Sequence, residues 1–176
     1  MIRIGIIGPS EIAFRRFLPA LAKLSDFKFA GVALADRSEW DADDLTRNDE
    51  QLKASAFMEN FGGTIFNSYT DIINAHEVDA IYIPLPPALH FHWAKKALIE
   101  GKHVLVEKPA TTSRDETLEL IKLARLKNLA LHENYMFAFH KQLVAINKII
   151  QSGEIGNVRL YRISFGFPRR SANDFR

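Results

Sequence analysis

Short apolar runs alternate with longer amphipathic stretches along this chain. Residues 2–7, 29–35, 64–66, 80–83, 103–106 and 129–132 read as strands. Their near-continuous apolar character suits strands buried on both faces of a parallel sheet. Helical patterns fill the intervals at 12–24, roughly 41–60, 88–100 and 113–127. Pro19 should kink or divide the first of these, because it lacks an amide hydrogen and its ring crowds the preceding turn. Ser113 and Glu116 have the spacing of a capping box. Gly101 follows the 88–100 pattern where a helix end favours a left-handed residue. Strand and helix in strict alternation predict right-handed crossovers and an α/β fold with a doubly wound parallel sheet, the Rossmann arrangement.

After residue 132 the pattern changes. Residues 139–152 read as one more helix, which Gly153-Glu-Ile-Gly156 breaks. Residues 158–167 follow as a long strand with Tyr161, Ile163, Phe165 and Phe167 on one face. Four large apolar side chains on one side need a partner surface, and the polar residues 168–176 do not supply it. The pattern therefore predicts a dinucleotide-binding domain over 1–133, then a connecting helix and the first strand of a truncated C-terminal α+β domain over 134–176.

The composition excludes several functions. The 176 residues are 47% apolar and 25% charged, with a net charge of only +2. Lys and Arg are interspersed with Asp and Glu, so no basic stripe marks a nucleic-acid partner. Cysteine is absent, which removes disulfides and thiolate metal sites. No stretch reaches the roughly 20 apolar residues of a bilayer span, and the N-terminus enters a strand pattern without signal-peptide architecture. The expectation is a cytoplasmic protein with no membrane partner.

The first strand runs into Gly5-Ile-Ile-Gly8-Pro-Ser10-Glu-Ile-Ala13 and then a helix. In a dinucleotide fold the first glycine makes the tight turn, the second lets the backbone approach the pyrophosphate, and the third position allows close helix–strand packing. Gly8 and Ala13 fit the first and third positions. Ser10 occupies the second, where it is small and able to donate a hydrogen bond to phosphate. The helix start at Glu11 and Ile12 would offer free amides to the phosphates. A Gly-containing turn with no ligand is the alternative. The second strand ends at Asp36-Arg37. An acid here accepts hydrogen bonds from ribose hydroxyls and repels a 2′-phosphate, so Asp36 favours NAD over NADP. Arg37 pulls the other way, since a guanidinium pairs with a 2′-phosphate or stacks on adenine.

Residues 80–110, AIYIPLPPALHFHWAKKALIEGKHVLVEKPA, are the most specific stretch. They resemble the glucose–fructose oxidoreductase and inositol dehydrogenase (Gfo/Idh/MocA) family. The shared features are a strand, a Pro-containing turn and His, a helix ending in Gly-Lys-His, a strand and Glu-Lys-Pro. His132-Glu-Asn-Tyr-Met-Phe and Phe139-His-Lys-Gln look like that family's sixth strand and following helix, and the resemblance covers essentially the whole chain. It implies nicotinamide-dependent oxidation or reduction of a sugar, polyol or related hydroxy compound, and a homo-oligomer where the full C-terminal domain is present.

The resemblance makes Lys108 the catalytic lysine, at the carboxyl end of a strand where ligands bind in open α/β sheets. A partly desolvated ammonium there would stabilise a developing oxyanion and help move its proton. Glu107 positions Lys108 or the nicotinamide ribose, or else forms a structural salt bridge. Leu85, Pro86 and His90 match the family's cofactor-contacting loop. At Leu85 and Pro87 many relatives carry Thr and Asn, which leaves apolar or backbone contacts here. His90 is either a nicotinamide-side or substrate-side group or a packing residue at the helix start. His90 and His92 are the one closely spaced histidine pair; two positions apart they diverge on a helix, so no metal site is expected. The family's second catalytic pair, an Asp and a His on one helix, has no counterpart before Arg176. A non-catalytic binding or scaffold module of the same fold is therefore the competing expectation.

Overall fold

The computed structural model describes residues 1–164 and 166. Six strands form one sheet in the order β3-β2-β1-β4-β5-β6: β1 (Ile2–Ile7), β2 (Phe27–Ala33), β3 (Thr64–Phe66), β4 (Ala80–Ile83), β5 (His103–Glu107) and β6 (Leu131–Asn134). Every neighbouring pair is parallel. The strand order reverses between β1 and β4, which makes their carboxyl ends the switch point of a doubly wound Rossmann sheet.

Alternation along the strands divides the core between the two faces. Ile4, Ile6 and Tyr82 pack with Leu18, Phe29 and Phe57 on one face. Ile7, Ile81 and Ile83 pack with Trp93, Leu98 and Leu120 on the other. This double-sided burial is why the central strands β1 and β4 are almost entirely apolar.

The helices on the two faces are α1 (Leu18–Leu21), α2 (Asp44–Phe61), α3 (Tyr69–Asn74), α4 (Pro87–Ile99) and α5 (Arg114–Leu126). Residues 11–21 are helical throughout, with a π-helical turn over Ala13–Phe17 entering α1 just before Pro19. The expected Pro19 irregularity thus takes the form of a wide turn, a known way to accommodate a disrupted ladder. Helix α5 starts as the spacing predicts, with Ser113 Oγ accepting from the amide of Glu116 at 3.2 Å. Helix α4 ends at a left-handed Gly101 (φ 77°), where the amides of Gly101 and Lys102 donate to the carbonyls of Leu98 and Ala97.

Some expected bounds shift. β2 and β6 lie two residues from the expected 29–35 and 129–132, because pairing with neighbouring strands rather than local hydrophobicity sets their ends. Helix α2 begins at Asp44, where Asp43 caps it through the amide of Thr46. Helix α3, unexpected from periodicity, is capped by Ser68 through the amide of Asp71.

Met1–Tyr135 form one compact unit, and a second starts at Met136. The second contains a 3-10 turn over Met136–Phe139 and α6 (Lys141–Ser152), which ends at left-handed Gly153. The strand expected over 158–167 does not form over 158–164, where the backbone has no regular structure. A strand needs a partner for its amides and carbonyls, and none among the described residues pairs with these. Phe165 and Phe167 lie outside the described residues.

Candidate functional site at the sheet switch point

Strand β1 delivers the chain to Gly8, whose φ of 83° is one that residues with a side chain rarely adopt. A Cβ at Gly8 would stand 2.9 Å from Leu85 Cδ2 and 3.2 Å from the Tyr69 hydroxyl. Its amide donates to the carbonyl of Ala33, holding the turn over the end of β2. Ser10 then caps the helical run: its Oγ accepts from the amide of Ala13 at 3.2 Å, and its carbonyl accepts from Phe14. The amides of Glu11 and Ile12 have no acceptor among the described residues. These are the orphan donors expected of a first helical turn, where the helix dipole also favours an anion.

Register places a second loop beside this one. Ile6 pairs with Tyr82 and Ile83 with Val106, so the loop after β4 and the turn after β5 leave the sheet side by side. Between the β1 and β4 loops lies a cleft of about 500 Å³, lined among others by Gly8, Ser10, Glu11, Leu85 and Pro86. A neighbouring cleft of about 340 Å³ at the end of β2 is lined by Asp36, Arg37 and Arg47. Trp40 and Glu50 line both. Among the sequence-predicted residues, the first cleft gathers five and the second gathers Asp36 and Arg37. Ile12, His90, Glu107 and Lys108 line neither.

Asp36 is partly committed to its own turn. Its Oδ1 accepts from the Ser38 amide and hydroxyl, both at 2.7 Å, and from the Glu39 amide at 2.9 Å. These bonds, the Ser38 hydroxyl first, hold its carboxyl below the usual carboxylate range. Arg37 is exposed and reaches Asp44 at 2.7 Å. Arg47 comes from α2 and donates to the carbonyl of Ala35 at 3.2 Å. Glu39 ties this strand end to α3, its two oxygens accepting from the amides of Tyr69 and Thr70 and from the Thr70 hydroxyl.

His90 was expected either as a cofactor- or substrate-side group or as a packing residue, and its surroundings favour the second. It is fully buried, and its ring nitrogens lie 2.6 Å from the carbonyl of Leu85 and 2.7 Å from that of Pro109. Each nitrogen faces a backbone carbonyl, so whichever carries the proton donates to one of these two, and the ring offers neither nitrogen to a cofactor or substrate. It fastens the loop after β4 to the turn after β5 instead.

Glu107 is buried at the end of β5, where one carboxylate oxygen accepts from the Tyr82 hydroxyl at 2.7 Å and from Asn134 Nδ2 at 2.6 Å. No ion pair involves it among the described residues, which removes the salt-bridge alternative. Burial, and then the bond to Glu107, push the Tyr82 phenol well up. Lys108 follows across a cis bond to Pro109 and is exposed. The partial desolvation expected of it is absent, since the residue is exposed.

The sequence reading missed Tyr69, Glu39, Trp40, Lys53 and Arg47. Ser68 three residues before Asp71 was a signal for the first of these, since a capped helix there places Tyr69 at the switch point. No group of three His, Asp or Glu among the described residues is placed to hold a metal ion. No helix among them is long and apolar enough to cross a membrane.

A family profile described as an oxidoreductase family with an NAD-binding Rossmann fold, Gfo/Idh/MocA, matches residues 2–135. The chain belongs to this family. It is 41% identical over 99% of its length to a dTDP-3,4-didehydro-2,6-dideoxy-α-D-glucose 3-reductase of Streptomyces violaceoruber, covering 47% of that protein. It is 32% identical over 93% of its length to a D-xylose 1-dehydrogenase (NADP(+)) of Haloferax volcanii, covering 46% of it. A crystal structure of a 3-ketoreductase from Actinomadura kijaniata in complex with NADP superposes with a TM-score of 0.76 at 39% identity, over 90% of this chain and 44–46% of that one in two such structures. The Gfo/Idh/MocA chain thus spans about half the length of the curated relatives it matches.

Proposed function

We propose that this Gfo/Idh/MocA domain holds the dinucleotide of an oxidoreductase that interconverts a carbonyl and a carbinol on a sugar, including nucleotide-linked deoxysugars. The observation that carries the reading is the switch-point cleft: a left-handed Gly8, two unpaired amides at Glu11 and Ile12, and an apolar wall from Leu85 and Pro86. These features fit a diphosphate at the helix start and a flat ring against the β4 loop. The named activities of the relatives supply the substrate class.

When bound, the nicotinamide would supply or accept the hydride. The chain's own part in reduction is to deliver a proton to the carbonyl oxygen as its carbon receives hydride. Lys108, exposed at the end of β5 beside the β4 loop, is the group placed to do so, and in oxidation it takes the proton back. Glu107, locked by Tyr82 and Asn134, holds the following residue, Lys108, in place. Residues beyond 134 would form the connecting helix and the start of the part that completes the substrate pocket and the oligomer.

NADP is the preferred cofactor in this reading, against the NAD expected from Asp36 alone. Asp36 has one oxygen committed to its turn, while Arg37 and Arg47 both line the cleft where a 2′-phosphate would lie. The D-xylose enzyme and the ketoreductase relatives bear NADP in their descriptions. Calorimetric titration of the 176-residue chain with NADP and NAD tests this. Tighter NADP is expected. Tighter NAD would return the choice to Asp36, and no binding of either by folded protein would favour a scaffold module.

A further inference from the structure

The Tyr69 side chain is 95% buried, at 5% exposure, yet its hydroxyl has no hydrogen-bond partner among the described residues. Among the described residues no buried side-chain oxygen lacks a partner, so the hydroxyl is the part of the residue that reaches the surface. It does so in the wall of the switch-point cleft, 3.2 Å from where a Gly8 Cβ would stand. The ring is fixed from behind by an edge-on contact with Trp93, with centroids 5.1 Å apart. The backbone is fixed by Glu39, which accepts from the Tyr69 amide at 2.8 Å. A rigid phenol that is buried except for an unpaired hydroxyl, which opens into the cleft beside the glycine turn, is a donor held in place for a ligand to accept from.

We propose that the Tyr69 hydroxyl is a cofactor-positioning donor to the diphosphate of the bound dinucleotide, in concert with the amides of Glu11 and Ile12 and the hydroxyl of Ser10. This rests on the dinucleotide reading above and extends it to a residue outside the glycine fingerprint. It also accounts for the departure at Ser10. A Cβ at that position keeps a phosphate farther from the backbone than glycine would. Hydroxyls then take over contacts that amides alone would otherwise make.

Charge around the site agrees. Three carboxylates line the cleft, which would oppose an anion if free, but each is held by a partner. Glu11 pairs with Arg15 at 3.0 Å, Glu50 with Lys53 at 2.9 Å, and Glu39 caps α3. Burial, and then the fields of Glu50 and Glu39, push the Tyr69 phenol well above its usual range, so it remains protonated as a donor. A neutral donor suits a site where a further cation would be drawn to those acids instead.

The test compares the chain with its Tyr69→Phe variant, which keeps the ring and its contact with Trp93. Calorimetry with ADP-ribose, which has the diphosphate, is set against 2′,5′-ADP, which lacks the second phosphate of the bridge. An unchanged thermal midpoint establishes that the variant is folded. The expected result is about tenfold weaker ADP-ribose binding, with 2′,5′-ADP changed less than twofold. Equal weakening of both ligands, or of neither, would overturn the role. If the unaltered chain binds no dinucleotide at all, the cofactor reading itself fails and this inference with it, an outcome separable from a variant that binds like the parent.

Discussion

The two ends of the one sheet treat their polar groups differently. At the amino ends of β1, β4 and β5, polar groups satisfy each other. Arg3 forms a two-pronged pair with Asp79, at 2.9 Å through Nε and 2.7 Å through Nη2, and the same carboxylate accepts the Arg3 amide. Lys102 Nζ donates to the carbonyls of Ala75 and Val78. At the carboxyl ends, by contrast, the amides of Glu11 and Ile12 and the hydroxyl of Tyr69 stay unpaired, and Lys108 is exposed. Both ends arise from the same βαβ repeats, so the topology does not cause the difference. Side chains close one edge, and the other edge keeps donors unpaired, as the proposed dinucleotide site requires. The teaching is that unpaired donors on a rigid frame mark function more sharply than charge does.

At the carboxyl edge His90, like Glu107 and Glu39, is taken up by protein partners, and removing it should have the largest effect. His90→Ala leaves the carbonyls of Leu85 and Pro109 without a partner and opens a buried cavity. A stability loss of about 3–4 kcal/mol is expected from these together. Chemical denaturation measures it. A loss below about 1 kcal/mol would show that the two loops do not depend on the bridge, and the packing role of His90 would fail.

Gly8→Ala probes the free edge. The new Cβ meets Leu85 at 2.9 Å in a backbone conformation that costs an ordinary residue about 1 kcal/mol. The β1 loop or the β4 loop must shift, which disturbs every donor in the cleft. Dinucleotide affinity should fall about a hundredfold, roughly 2.7 kcal/mol, with a smaller loss of stability. The reverse ranking, stability falling more than affinity, would mean that Gly8 serves packing rather than the ligand.

Much of the frame was legible in the sequence, and less of the site. β1, β3 and β4 match their hydrophobic runs, because a strand buried on both faces is continuous in its apolar residues. Helix α3 escaped because six residues hardly span two turns, too few for a period to show. The strand expected over 158–167 rested on an alternating face, yet alternation creates a surface without supplying the neighbour that must pair with it. In the site, Gly8 and Ser10 were legible because the turn's chemistry is local. His90 was not, since one of its partners is the carbonyl of Pro109, which no local pattern brings near. Tyr69 depended on α3 and was lost with it. The lean of Asp36 towards NAD took no account of its own turn, where Ser38 and Glu39 occupy one oxygen.

Arg37 sharpens the cofactor side of the comparison. Arg37→Ala should weaken NADP about tenfold, roughly 1.4 kcal/mol, and leave NAD within about twofold. Parallel titrations with the two cofactors measure it. Equal losses would move the 2′-phosphate contact from Arg37 to Arg47, which lines the same cleft from α2.

The closed edge gives the smallest effect and the clearest dependence on pH. The hydrogen bonds from Arg3 hold the Asp79 carboxyl down, to about 2, against an ordinary value of 3.8. A folded-state value below the unfolded one means the ionised acid stabilises the fold. That contribution is complete above the ordinary value and is lost as pH falls through about 2. Because Arg3 and Asp79 keep a third or more of their side-chain surface exposed, solvent screening limits the pair to about 1 kcal/mol. Asp79→Asn should therefore cost about that much at neutral pH, and the gap from the parent should close as the medium approaches pH 2. Dinucleotide binding should not change, since the pair lies at the opposite end of the sheet from the cleft. A variant that loses affinity while keeping stability would show that the two edges are coupled, and the division of labour argued here would fail at its quiet end.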